Sequence, residues 1–237
     1  VQGEGATASM ISLLTYMHDN WDTLGPEILT HLQIVAVAMA VATLMGLAIG
    51  VLAARNRRVA AVALTVTSVI ITVPSFALFG LLTIWFQLGN TPVILGLILY
   101  ALLPIVRNTY TGLHGLDASI VEAARGMGMR RHQQLLRVEL PLAAPVILAG
   151  VRQATVMVVA IATVGAAVGA DDLGRPIFAA VGRTTGSYER LLAGMLPVAC
   201  IGLGADAALA LVQRLLMRAR TRRPRGPTVG PARWAVP

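Results

Sequence analysis

The chain of 237 residues contains no lysine, and all 19 of its basic residues are arginine. That absence removes two chemistries at once. The P-loop pattern ends in a lysine that reaches nucleotide phosphates, and Schiff-base catalysis needs a lysine amine. Charged residues of either sign are also few, at 13%, where an ordinary globular chain carries about 25%. So few charges cannot cover a water-soluble body of this size, and a mean hydropathy of +0.74 places the chain in a bilayer. The single cysteine, Cys200, permits no internal disulfide. His18, His31, His114 and His132 are scattered without metal-ligand spacing. No nucleophile stands with a base, so neither a metal site nor a catalytic residue is expected.

What is present is long apolar runs. The first thirty residues hold Glu4, Asp19, Asp22 and Glu27 but no arginine, unlike the basic start of a signal peptide, and residues 1–27 read as a segment outside the membrane. From Ile28 to Ala54 there is no aspartate, glutamate or arginine, enough for a first span of roughly 20 residues. The next such run, Val59 to Val106, is too long for one helix, and Gly89-Asn90-Thr91-Pro92 reads as its turn. Further spans are expected near 60–87, 93–112, 142–168 and 191–213, making 28–213 the membrane domain. Pro74 kinks the second span or breaks it into two half-helices. Counting those halves as separate crossings gives six spans instead of five.

The arginines set a direction. Fifteen of the 19 fall after spans one, three and five or at the inner end of span three, and only Arg175, Arg183 and Arg190 fall on the other side. The positive-inside rule then puts the N-terminus outside and the C-terminus in the cytoplasm. The tail, 214–237, has seven arginines and no acid. It reads as a disordered segment drawn to anionic lipid headgroups. The net charge of +8 is therefore a topology signal, and no nucleic-acid motif accompanies it.

The polar loop 114–141 between spans three and four is the most informative stretch. Asp117 or Ser119 can cap a short helix there, and Ser119 with Glu122 forms a capping-box pattern. Gly126 and Gly128 interrupt that helix, and Gln133 to Glu139 reads as a second one stopped by Pro141. Ala123 and Ala124 offer almost no bulk, which suits a face over which a partner groove closes. Glu122-Ala123-Ala124, three residues, Gly128, nine residues, Val138, one residue and Leu140-Pro141 resemble the coupling motif of ABC importer permeases. Further stretches are similar to osmoprotectant permeases, which carry glycine betaine, choline or carnitine. These are Thr72 to Gly80, Tyr100 to Gly112 and Glu139 to Gly150. One departure is Ala170-Asp171-Asp172-Leu173-Gly174, where that family often has a glycine-rich Gly-Ala-Gly-x-Leu-Gly.

The resemblance implies an all-α, polytopic permease fold of the ABC type I importer kind in the bacterial inner membrane, with a cytoplasmic coupling helix. It implies no enzyme activity in this chain. ATP and Mg would be bound by a partner ATPase in two copies, and solute would be delivered by an external binding protein. The pore would be completed by a second permease, identical or related. Glu122, Ala123, Ala124, Gly126, Gly128, Leu140 and Pro141 would couple to the ATPase. Another small solute, such as methionine, would use the same loop. Three ionisable residues lie within the spans, Arg107, Arg152 and Asp206. Such residues are costly in a bilayer unless paired, so Asp206 is expected to meet Arg107 or Arg152 near an inner gate. Aromatic residues, at 5%, are too few for a cage around a quaternary ammonium group. Pro74, Ser75, Phe76, Tyr100 and Asn108 remain as residues for the translocation pathway.

Overall fold

The computed structural model describes residues 2–181 and 187–221, with side chains for 10–181 and 188–217. Arg183 and the tail beyond residue 221 lie outside the described residues. Those described are almost wholly helical and include no strand. The chain opens with α1 (Gln2–Asp19) and α2 (Trp21–Arg55), so the first span begins seven residues before its expected start at 28. Pro26 stands inside α2 as its sixth residue, past the first turn, so α2 runs through it without the backbone bond its N–H would have made. The N-terminal segment, read from the sequence only as lying outside the membrane, is itself helical as α1.

Asn56 closes α2 and opens α3 (Arg57–Thr72), its side chain accepting hydrogen bonds from the Arg58 and Val59 N–H groups. Pro74 then breaks the second span outright: α4 (Ser75–Phe86) departs from α3 at 101°. The Tyr100 hydroxyl, on a side chain only 2% exposed, donates to the Val73 carbonyl at this break. Tyr100 is therefore a strut for the bend and does not line an open pathway. Tyr100→Phe is expected to cost about 1 kcal/mol, the usual net worth of one hydrogen bond. A lower thermal midpoint in detergent would register it, and an unchanged midpoint would remove this role.

The third span is α5 (Asn90–His114), the centre of the bundle, flanked by α2 and α8 (Leu140–Ala162). Glycines let these helices approach closely. A Cβ placed on Gly150 of α8 would lie 2.5 Å from the Asn108 Cβ and 2.6 Å from the Pro104 carbonyl oxygen of α5. The Asn108 amide, for its part, donates back to that carbonyl. Asn108 thus belongs to a helix crossing. Phe79 of α4, with Ile34, Leu97, Ile105 and Val158, fills the main core.

Between α5 and α8 lie the short helices α6 (Ala118–Gly126) and α7 (Arg131–Gln134). A π-helical turn, Leu135–Glu139, joins α7 to α8 without a stop. This corrects the expected second helix ended by Pro141. Pro141 is the second residue of α8, directly after that π-helical turn. A 3-10 turn (Thr163–Val168), the short α9 (Gly174–Ala180) and the long α10 (Ser187–Thr221) complete the fold.

Contacts sort the helix ends into two sets. Arg55 meets Glu139 at the end that carries the loop, and Gln213 of α10 reaches the Pro145 carbonyl toward that same end. At the opposite end Gly89 bonds to Val168, Asn90 to Asp171, and Arg190 to Tyr16. The bundle is therefore crossed five times, with α3 and α4 together making one passage. Among the described residues four helices are long and apolar enough to span a membrane, or five spans if the bent pair counts as one.

Candidate functional site

The loop is built around a capped, glycine-terminated helix. The Asp117 side chain accepts the Ser119 N–H at 2.9 Å, so Asp117 is the cap, and the expected box of Ser119 with Glu122 does not form. Hydrogen bonds from the Ser119 backbone, then from its side chain, hold the Asp117 carboxyl below the usual carboxylate range. A carboxyl with a depressed pKa stabilises the fold above the ordinary carboxylate range. That contribution fades as pH falls through the depressed value, so the cap is intact at neutral pH. At the other end α6 stops at Gly126, and Gly128 has φ +76°, a left-handed conformation that a side chain resists.

Glu122 and Ala123 are exposed on α6, whereas Ala124 is 1% exposed and packs inward. Consecutive residues on a helix point about 100° apart, so the two alanines do not share one docking face. Gly126 and Gly128 are exposed, with open space around each. Leu140 and Pro141 are half-buried at the root of α8.

Behind the loop is a clamp that the sequence reading missed. The buried carboxylate of Glu139, in the π-helical turn, accepts from Arg55 of α2 at 2.8 Å and from the Gln134 amide at 2.9 Å. It ties the base of the loop to the end of the first span. Glu139 appeared only as part of a family-like stretch, and its sequence neighbours do not reveal that it faces Arg55.

Within the bundle, Arg152 and Asp206 form the expected pair. The guanidinium grips the carboxylate with two bonds, Nε to Oδ1 at 2.9 Å and Nη2 to Oδ2 at 2.8 Å. Its Nη1 donates to Gln213 at 3.0 Å, and Gln213 in turn donates to the Pro145 carbonyl at 2.8 Å. This chain of bonds fixes α10 against α8. Arg107 takes no part: it is exposed and joins no ion pair among the described residues. Ser75 is half-buried at the start of α4 and Phe76 is 59% exposed, so the pathway residues are not gathered around one cavity.

The two acids at 171–172 lie at the opposite end. Asp172 is fully buried, with Oδ1 accepting the Gly174 N–H at 2.9 Å and Oδ2 lying 3.6 Å from His31 Nδ1. Asp171 is exposed and pairs with Arg175 one turn on. No cluster of possible metal ligands occurs among the described residues.

An alternating bundle with one broken span, a helical loop and an internal ion pair defines a membrane permease fold. Solved structures with that fold include the inward-facing MetNI methionine ABC transporter. Its TM-score is 0.71 at 20% identity, covering 82% of this chain and 96% of that one. Residues 46–220 match the sequence profile of the binding-protein-dependent transport system inner membrane component, and the chain belongs to that family. Among curated relatives, the choline transport system permease protein OpuBD of Bacillus subtilis is 39% identical over 89% of this chain and 93% of its own length. The carnitine transport permease protein OpuCD of Listeria monocytogenes is 35% identical, with coverage of 89% and 94%. The osmoprotectant import permease protein OsmW of Salmonella typhimurium is 37% identical, with coverage of 85% and 95%.

Proposed function

We propose that this chain is the permease subunit of an ATP-driven importer for quaternary ammonium osmoprotectants, of the glycine betaine, choline and carnitine class. Support for the solute class comes from relatives so named that align over most of both chains. Support for ATP coupling comes from one observation above the others. The loop presents an exposed, capped helix followed by a left-handed glycine, and its base is clamped to the first span.

In this reading ATP and Mg reside on a separate ATPase, two copies of which close on nucleotide binding. Each moves the loop docked on it, and Glu122, Ala123, Gly126 and Gly128 take the load while Leu140 and Pro141 pass it to α8. Ala124 anchors the helix from within. The paired Arg152 and Asp206 hold α8 and α10 in register during the movement. The loop faces the cytoplasm and the start of α2 faces outward, toward an external binding protein that hands over solute. Large apolar side chains exposed on α10, Leu203 at 73% and Leu211 at 57%, suit cover by lipid or by a second permease. The membrane domain runs from α2 to α10.

Reconstitution with the binding protein and ATPase, followed by uptake of labelled choline, glycine betaine and methionine, tests the solute class. Accumulation of either quaternary ammonium compound but not of methionine is expected. Methionine accumulation alone would replace this reading.

A further inference from the structure

A polar cleft of about 250 Å³ opens at the end of the bundle opposite the loop, where α1, α2, α9 and α10 meet. Glu27 of α2 lines it together with Arg175 of α9 and Arg190 of α10, and Tyr16 and Asn20 of the α1–α2 corner complete it. These opposite charges share a cleft without forming an ion pair with one another. Glu27 is half-buried and joins no ion pair and no hydrogen bond among the described residues. Arg190 donates through Nε to the Tyr16 hydroxyl at 3.1 Å, which orients the guanidinium. Its two terminal nitrogens have no hydrogen-bond partner among the described residues.

A cleft with a free carboxylate on one wall and a free guanidinium on another complements a ligand of the opposite polarity at each end. Guanidinium is the group best shaped to receive a carboxylate, and Tyr16 adds an aromatic ring of the kind that attracts quaternary ammonium groups. At ~30 Å³ per water, the volume holds roughly eight waters, the scale of a small zwitterion.

We propose that this cleft is a solute site at the mouth of the permease for small zwitterions. Glu27 holds the cationic end and Arg190 holds the carboxylate, while Arg175 stays paired with Asp171. The proposal rests on the importer reading above and sharpens it: a betaine, with both charges, is preferred over choline, which has no carboxylate.

The test measures binding of radiolabelled glycine betaine and choline to the purified full chain by equilibrium dialysis. Uptake KM of the reconstituted complex is measured for both solutes in parallel. The wild-type chain is expected to bind glycine betaine more tightly than choline. Arg190→Gln removes a charge-assisted bond and is expected to weaken glycine betaine about tenfold or more, leaving choline within about twofold of wild type. Arg190→Lys should recover most of the loss, and Glu27→Gln should weaken both solutes. Choline binding that survives Arg190→Gln is itself the proof of a folded chain. Equal losses for both solutes in Arg190→Gln would overturn the site, because a docking or folding defect acts on both alike. So would wild-type binding that favours choline or detects neither. If the complex imports neither solute, the importer reading falls, while dialysis on the chain alone still decides the site.

Discussion

Gly128→Val uncouples ATP hydrolysis from uptake. The residue has φ +76°, and a β-branched side chain there costs about 1–3 kcal/mol of local strain. Nothing crowds the site, since a Cβ on Gly128 meets no atom within 4 Å. The strain therefore rotates the chain between α6 and α7 and leaves the bundle core alone. α6 then presents Glu122 and Ala123 at a changed angle to the base clamped by Glu139 and Arg55. In the reconstituted complex, uptake is expected to fall about tenfold or more, as misplacement at a coupled interface commonly does. ATP hydrolysis continues and thermal stability is near wild type. Gly128→Asn, which tolerates left-handed backbone better, should retain more uptake than the valine variant. Wild-type uptake in both would remove the loop from the coupling path.

Asp206→Asn removes the charge that faces the Arg152 guanidinium and one of its two acceptor oxygens, leaving at most one bond there besides that to Gln213. Removing one member of a pair in apolar surroundings costs more than removing both, because the surviving charge is uncompensated. The single variant is expected to lose most of its uptake and to assemble poorly. Arg152→Leu combined with Asp206→Leu should recover folded protein to a level above either single change. Arg107→Gln, by contrast, is expected to be mild, because Arg107 has no partner among the described residues. Size-exclusion yield and uptake read both effects. A double variant worse than either single one would show that the pair is not the contact that matters.

The course of the chain was legible wherever one residue carries a local consequence. Pro74 removes a backbone donor, and the span breaks there. Gly128 lies where the backbone turns left-handed. The five crossings followed from long apolar runs that hold no charge or a single one, because a bilayer penalises each charge separately. Contacts between distant segments were legible only in part. Asp206 was confined to two arginine partners by depth, but the choice of Arg152 depends on helix rotation. Apolar periodicity specifies rotation poorly when lipid and protein are both apolar.

The Glu139 clamp was invisible for a related reason. A π-helical turn shifts the facing of Leu135–Glu139 relative to an α-helix, so no α-helical pattern places Glu139 toward Arg55. Ala124 misled because a small side chain suits a tight partner groove and a tight internal contact equally. The cleft at Glu27 escaped notice because its walls come from four helices, in two pairs that are far apart in the sequence.

The central claim is that a separate ATPase drives solute through this chain by way of the loop. Accumulation of labelled glycine betaine or choline in vesicles tests it most directly, with this chain, its ATPase and its binding protein reconstituted together. The account predicts concentrative uptake that needs ATP on the side facing the loop and stops when the ATPase is left out. Accumulation driven by an ion gradient, with no nucleotide and no ATPase present, would contradict it.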